Sequence, residues 1–393
     1  MRRSFALLLT LLALVPLTGC WDRREINDIV FISATAVDKV DELYKVTIQF
    51  PLPSQLGGAG STGGGGGTRG AQAWHTETAT GRTGREAVAK QQASLSRYVN
   101  FSHRRVLLIG EGLAKLGIAE LMDILGRVPQ NRMTAYLLMS EGDAEKLFEV
   151  DSSLEQSPAE MLREIAGLSY KRPVTIEATV NALLMEGTDP YIPLVGTTHG
   201  GKTDRAEREA VLKGIALFRG DRLATTLEGD AARGLMFALN QASQPVVTVS
   251  APEGKGYITM RVTKSNVHID AQPGGAVPRF TIRVKGEMIA SENNSTYRFA
   301  EDGEPVAKLE ETVNEYLEAT IREAIDVTKE HRVDPIGFGL HLYRYHPSEW
   351  RKIKERWRNI YGRADIQVRA ELRFQHPGTI KHPLGVPKEE VRQ

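Results

Sequence analysis

Few residues in this chain have a type and spacing suited to covalent or ligand chemistry. Cys20 is the sole cysteine among 393 residues. A thiolate is a strong nucleophile, and the small pair Thr18-Gly19 stands directly before it. With no second cysteine, no disulfide forms within the chain. Another candidate is Gly196-Thr197-Thr198-His199-Gly200-Gly201-Lys202-Thr203. It fits G-x-x-x-x-G-K-[ST], a loop whose backbone N–H groups cradle phosphates. That chemistry needs a buried strand before the loop and a helix after it. Pro193 interrupts the preceding Tyr191 to Val195 and cannot donate to a strand ladder. The β-rich Ile215 to Phe218 follows closely. The segment therefore reads as a polar loop between domains. His331, His341, His346, His376 and His382 are spread over the C-terminal region, without the tight spacing of H-E-x-x-H zinc sites. The chain has no G-x-S-x-G elbow, and its carboxylates fall mostly on exposed helical faces. The sequence predicts no catalytic residue, no cofactor site and no metal site, and it favours a non-enzyme.

What precedes Cys20 gives that residue another use. Arg2 and Arg3 open the chain, and Phe5 to Val15 is apolar apart from Thr10. That run falls short of the ~20 residues needed to span a bilayer and suits the core of a secretory signal. The string Leu17-Thr18-Gly19-Cys20 resembles the lipobox of bacterial lipoproteins. The resemblance implies a signal peptide over residues 1–19, cleavage between Gly19 and Cys20, and a diacylglyceryl group on the Cys20 sulfur. Two acyl chains anchor stably where one is marginal. Trp21 then stands beside the lipid. It suits the membrane interface, where amphipathic rings are favoured, and equally suits packing against the first strands.

Composition bounds the rest. Lys+Arg 50 against Asp+Glu 49 leaves a formal charge of +1, so no basic excess argues for a nucleic-acid partner. The hydrophobic 41% is that of a globular protein, and the length predicts two or three domains.

The elements that must position any site follow from periodicity. Val30 to Val37 and Leu43 to Phe50 read as a hairpin. Five consecutive glycines at 63–67 mark residues 57–70 as a flexible loop. Strands are expected over 73–80, 104–109 and 134–139. Helices are expected over 83–97, 113–126, 143–149, 158–169 and 175–185. Gly, Pro, Thr and Asp cluster near residues 187–208, and a linker is placed at 191–208. This divides the chain into an N-terminal domain, 20–190, and a C-terminal domain, 209–393, the latter open to subdivision. The second part begins with a hairpin, 211–218 and 222–227, and a helix at 230–240. Strands follow at 246–250, 257–263 and 280–290, with a weaker one at 267–270. Val306, Leu309, Val313, Leu317, Ile321 and Ala324 then recur at helical steps over 304–330. A helix over 348–361 and a strand over 366–374 complete the chain. The fold class is mixed α+β and multi-domain, with antiparallel-rich sheets and the long helix laid against the C-terminal one.

Two stretches carry a family resemblance. Cys20-Trp21-Asp22-Arg23-Arg24-Glu25-Ile26-Asn27-Asp28 resembles the start of mature Ger(x)C spore-germination lipoproteins. Asp334-Pro335-Ile336-Gly337-Phe338-Gly339, followed by Tyr345-His346-Pro347 and Ser348-Glu349-Trp350, is similar to that family's Asp-x-x-Gly-Phe-Gly segment and its downstream Pro-x-x-Trp. Lys213 to Phe218 fits the strand that opens the second region, and the glycine run 57–70 departs from the pattern as a loop insertion. The resemblance implies the C subunit of a nutrient germinant receptor. It implies a lipoprotein on the outer face of the spore inner membrane, assembled with integral-membrane A and B subunits. In Gly337-Phe338-Gly339 the glycines suit a tight bend anchored by Phe338, and a partner contact there stays open. Two other classes remain as alternatives: a solute-binding lipoprotein, and a membrane-tethered cell-wall hydrolase.

Overall fold

The computed structural model describes residues 25–52, 73–150, 154–200, 207–252, 255–275, 277–297, 299 and 304–376. Cys20, Trp21, the signal, the glycine run 57–70, Lys202, Thr203 and His382 lie outside the described residues.

The first half builds strands β1 (Ile29–Phe31), β2 (Ala34–Val40), β3 (Leu43–Pro51), β4 (Trp74–Gly81), β5 (Tyr98–Asn100), β6 (Val106–Gly110) and β7 (Tyr136–Ser140). Between them run α1 (Gly84–Ser94), α2 (Glu111–Leu116) and α3 (Ala119–Arg127). After β7 come a 3-10 turn over Ala144–Phe148, α4 (Pro158–Ser169) and α5 (Ile176–Leu184). Local chemistry sets several starts. Thr83, Ser157 and Thr175 each accept a bond from the N–H three residues on, and Pro158 occupies the first turn of α4. Such caps satisfy donors that a helix start leaves free.

β2, β6, β7 and β8 (Tyr191–Gly200) run parallel at the centre of an eight-stranded sheet, ordered β10-β9-β8-β7-β6-β2-β3-β4. Here β9 is Glu207–Arg219 and β10 is Arg222–Glu228. Both faces of the sheet are covered. Val37, Leu107, Ile109 and Leu137 pack with Leu113, Leu121 and Leu125 on one side. Ala34, Ala36, Leu108 and Leu138 pack with Leu147, Phe148 and Leu162 on the other. This alternation follows from the two-residue period of a strand.

The second sheet has the order β11-β12-β13-β14, with β11 at Val246–Ser250, β12 at Gly256–Gln272, β13 at Arg279–Ser295 and β14 at Asp365–His376. Helix α6 (Gly229–Ala238) links the two sheets, and α7 (Glu304–Glu330) lies on the second. Leu309, Val313, Leu317 and Ile321 of α7 are buried against Ile258, Met260, Ile282 and Val284, so the expected stripe covers the sheet. Then come α8 (Phe338–Tyr345), α9 (Pro347–Ile353) and α10 (Trp357–Tyr361).

Several expectations are corrected. Residues 191–200, read as part of a linker, form β8 inside the sheet. Pro193 is tolerated because β8 meets β7 only at Leu194 and Val195, leaving Pro193 paired on its β9 side alone. The hairpin β9–β10, assigned to the C-terminal domain by the boundary at 209, completes the first sheet instead. The last strand, β14, pairs with β13 in parallel, because the helices between them carry the chain back to the starting end of β13. The single helix expected over 348–361 is broken by a 3-10 turn at Lys354–Arg356, and α8 was not foreseen. The stretches 257–263 and 267–270 are one strand, β12, with a register shift near Lys264.

Candidate functional site

The family-like segment Asp334 to Gly339 sits where the two sheets meet, facing Glu186 to Pro190. Val333, Ala324, Leu235 and Leu217 form an apolar cluster at the same junction. The Asp189 N–H donates to the Asp334 carbonyl at 2.9 Å. The Asp334 N–H donates to Asp189 Oδ2 at 2.9 Å. Asp189 also accepts from the Gly220 N–H at 3.0 Å and from both Arg358 Nη atoms at 2.8 and 3.0 Å. That is a forked guanidinium–carboxylate pair.

The Asp334 carboxylate is buried and caps the start of α8. Its Oδ1 accepts from the N–H groups of Gly337 at 2.8 Å and Phe338 at 3.1 Å. Its Oδ2 accepts from the Gly339 N–H at 2.9 Å and from Trp357 Nε1 at 3.2 Å. Burial pushes its pKa up to about 7, against the opposing pull of the backbone donors. Gly337 has φ 83°, a left-handed turn that glycine enters without strain. Phe338 is buried 4.8 Å from the Phe280 ring. The expected bend and aromatic anchor are both present.

Close backbone approach explains two other glycines. The Leu340 N–H donates to the Gly187 carbonyl at 2.7 Å. A Cβ on Gly187 would lie 2.4 Å from the Gly339 carbonyl carbon, and one on Gly339 would lie 2.6 Å from Trp357 Nε1. At the rim, Trp350 Nε1 donates to Glu186 at 2.9 Å and Lys354 pairs with the same carboxylate at 3.3 Å. The Trp350 hydrogen bond, with Lys354 adding to it, holds the Glu186 carboxyl below its ordinary range.

The histidines divide. His341 and His346 line an open groove of about 560 Å³ beside β12 and α8, together with His268, Asp270, Arg344 and Tyr345. Burial, then the neighbouring His346 and His268, holds the His341 pKa down. His331 and His376 do not line that groove. Among the described residues no group of His, Cys, Asp or Glu is placed to hold a metal ion. Gly196 to Gly200 of the phosphate-loop pattern lie within β8, in register with β9. They are ladder residues rather than a loop at the mouth of a helix, and the next described element is a strand.

Asp189, Arg358, Glu186 and His268 escaped the sequence reading. One signal was available. Asp189-Pro190 and Asp334-Pro335 are the same dipeptide, and a residue before proline is confined to extended backbone. Nothing in the sequence says that the two face each other.

With this geometry in view, comparison with known proteins is direct. Residues 22–197 match the family model described as "Spore germination protein N-terminal domain", and residues 213–378 match "Spore germination B3/ GerAC like, C-terminal". The protein YfkR of Bacillus subtilis (strain 168) is 36% identical over 372 residues, covering 95% of this chain and 96% of its own. Spore germination protein KC of the same organism is 26% identical, with 98% of each chain covered. A crystal structure of the GerBC protein superposes with a TM-score of 0.56 at 21% identity, over 87% of this chain and 96% of its own, and shares the fold. The chain belongs to the Ger(x)C family of spore germination proteins.

Proposed function

We propose that this protein is the lipid-anchored C subunit of a nutrient germinant receptor, and that it contributes by binding rather than by catalysis. The observation that carries the reading is the end-to-end match to spore germination proteins across both sheets. The use of the most family-like segment supports it. The Asp334 main chain bonds to Asp189 across the junction of the two sheets, and its carboxylate shapes the turn that enters α8, as a scaffold needs. In this reading Cys20 carries the diacylglyceryl and palmitate-type chains, Trp21 sits at the bilayer interface, and the mature chain lies on the outer face of the spore inner membrane. No helix among the described residues is long and apolar enough to cross a membrane, and the lipid supplies the attachment. Integral-membrane A and B subunits are the partners in this reading.

The test uses spores carrying Cys20→Ala, with germination followed by loss of optical density across a nutrient panel and blots of the spore membrane fraction. The expected result is loss of the response to one nutrient class together with release of the protein from the membrane. Normal germination by a strain whose only germinant receptor contains this protein, despite release of the protein, would overturn the anchored-subunit reading.

A further inference from the structure

The two outer edges of the second sheet are finished differently. At one edge α7 covers β14: the N–H groups of Ala370, Leu372 and Phe374 donate to Glu318, Asn314 and Glu310 at 3.0, 2.8 and 2.8 Å. At the other edge β11 pairs only with Tyr257 to Arg261 of β12. Beyond that stretch, β12 pairs with β13 alone among the described residues. A strand edge left open in this way is a template for another strand.

Alternation fixes which groups point outward. The Ser265 carbonyl accepts from Lys171 Nζ at 2.9 Å, and the Val267 N–H donates to Asn266 Oδ1 at 3.0 Å. Both turn away from β13, so the main-chain groups of Ile269 and Ala271 do so as well. The Val267 carbonyl, the Ile269 N–H and carbonyl, and the Ala271 N–H have no hydrogen-bond partner among the described residues. All three residues line the open groove of about 560 Å³ beside α8. At ~3.4 Å per residue, Val267 to Ala271 offers about 14 Å of edge, enough for a short added strand.

The far wall of the groove selects the occupant. Ile336 and Leu340 make it partly apolar, and His341, Arg344 and Tyr345 supply its polar part. Asp270 is the only carboxylate that lines the groove, and Arg283 pairs with it at 3.1 Å. Arg344 is exposed and has no ion-pair partner among the described residues. The groove therefore carries positive charge without compensation. A second copy joined here about a two-fold axis would bring that wall against itself, whereas an acidic strand supplies the missing charge.

We propose that the open edge of β12 takes up an extended acidic segment of another protein as an added strand, its main chain pairing with Ile269 and Ala271 and a carboxylate meeting Arg344. Main-chain pairing supplies affinity in this mode, and side chains supply selectivity. The assignment rests on the edge and its groove and is independent of the receptor reading.

The experiment is fluorescence anisotropy of the purified full-length chain with a short labelled peptide of alternating valine and glutamate. Saturable binding is expected, with slower hydrogen exchange at the Ile269 and Ala271 amides. The same peptide methylated at every amide nitrogen should not bind. A valine–lysine counterpart should bind about tenfold more weakly or worse. Ile269→Pro removes an outward N–H, a change that an edge strand tolerates, and should abolish binding while keeping the circular dichroism of the parent. Arg344→Glu should reverse the preference between the two peptides, and it guards against an Ile269 variant that fails to fold. The proposal is overturned by absence of binding at millimolar peptide, by equal binding of the methylated peptide, by undiminished binding in a folded Ile269→Pro, or by an unchanged preference in Arg344→Glu. A concentration-dependent dimer, seen by sedimentation and lost in Ile269→Pro, would give the edge to a second copy and overturn it equally.

Discussion

The main chains of Asp189 and Asp334 clasp one another across the junction of the two sheets. One N–H donates to the partner's carbonyl and the other to the partner's carboxylate, each at 2.9 Å. The two side chains are then satisfied differently. Asp189 is neutralised by Arg358, while Asp334 meets only N–H donors, from Gly337, Phe338, Gly339 and Trp357. The first carboxylate ties the sheets together, and the second shapes the turn that enters α8.

Removing the first carboxylate strands several donors at once. Asp189→Ala leaves the buried Asp334 N–H and the Gly220 N–H without their acceptor, and leaves Arg358 with only the Arg332 carbonyl at 3.3 Å. A loss of roughly 1–3 kcal/mol is expected, read from urea unfolding. Arg358→Ala should cost less, because the Arg358 side chain is 45% exposed and water screens and replaces its contacts. Equal losses for the two variants would contradict this account of Asp189.

Asp334 should make stability depend on pH with a particular sign. Its folded-state pKa of about 7 lies above the 3.8 of an unfolded Asp. The protonated form therefore favours the folded chain. This contribution is fully present below pH 3.8 and is lost as the pH rises through about 7. Urea unfolding across that window should show the wild type losing stability relative to Asp334→Asn, which cannot titrate there. A difference that stays constant with pH would remove the titration from the account.

Two glycines with positive φ separate strain from contact. Gly220 has φ 63° and open space where a Cβ would stand, so Gly220→Ala should cost only the left-handed penalty, about 1–2 kcal/mol. Gly187 has φ 79° and faces the Gly339 and Leu340 backbone, where a Cβ would stand 2.4 and 2.5 Å away. Gly187→Ala should cost about 2–5 kcal/mol, since backbone must also shift. Thermal unfolding of the pair side by side checks the order.

Phe338 tests the aromatic anchor. It is fully buried between Phe280 and Tyr361, at centroid distances of 4.8 and 6.0 Å. Phe338→Ala should destabilise by about 3–5 kcal/mol and alter the fluorescence of Trp357, which packs on Phe280 at 6.2 Å and on Tyr361 at 5.8 Å. Retention of wild-type stability would mean that the anchor lies elsewhere.

Local elements were legible because their causes are local. The hairpin of β2 and β3 follows from alternation around Asp41, and α7 follows from apolar residues at three- and four-residue steps. Helix α4 was expected over 158–169, and the structure starts it at the cap Ser157 with Pro158 in its first turn. The bend at Gly337-Phe338-Gly339 was read from glycine flanking an aromatic. The break between α9 and α10 was not legible, because Trp350, Trp357 and Ile360 keep helical spacing across it and all three remain buried.

By itself the sequence determined most of the strands and helices, the mixed α+β class and the family, since periodicity and motif strings act over neighbouring residues. Only the tertiary structure decided that β8, β9 and β10 complete the first sheet, that β14 runs parallel to β13, that Asp189 meets Asp334, and that the edge of β12 beyond β11 is left open. Each of these depends on which distant residue supplies, or withholds, the other half of a hydrogen bond. Strand patterning states that a partner is needed; the folded chain alone supplies its identity.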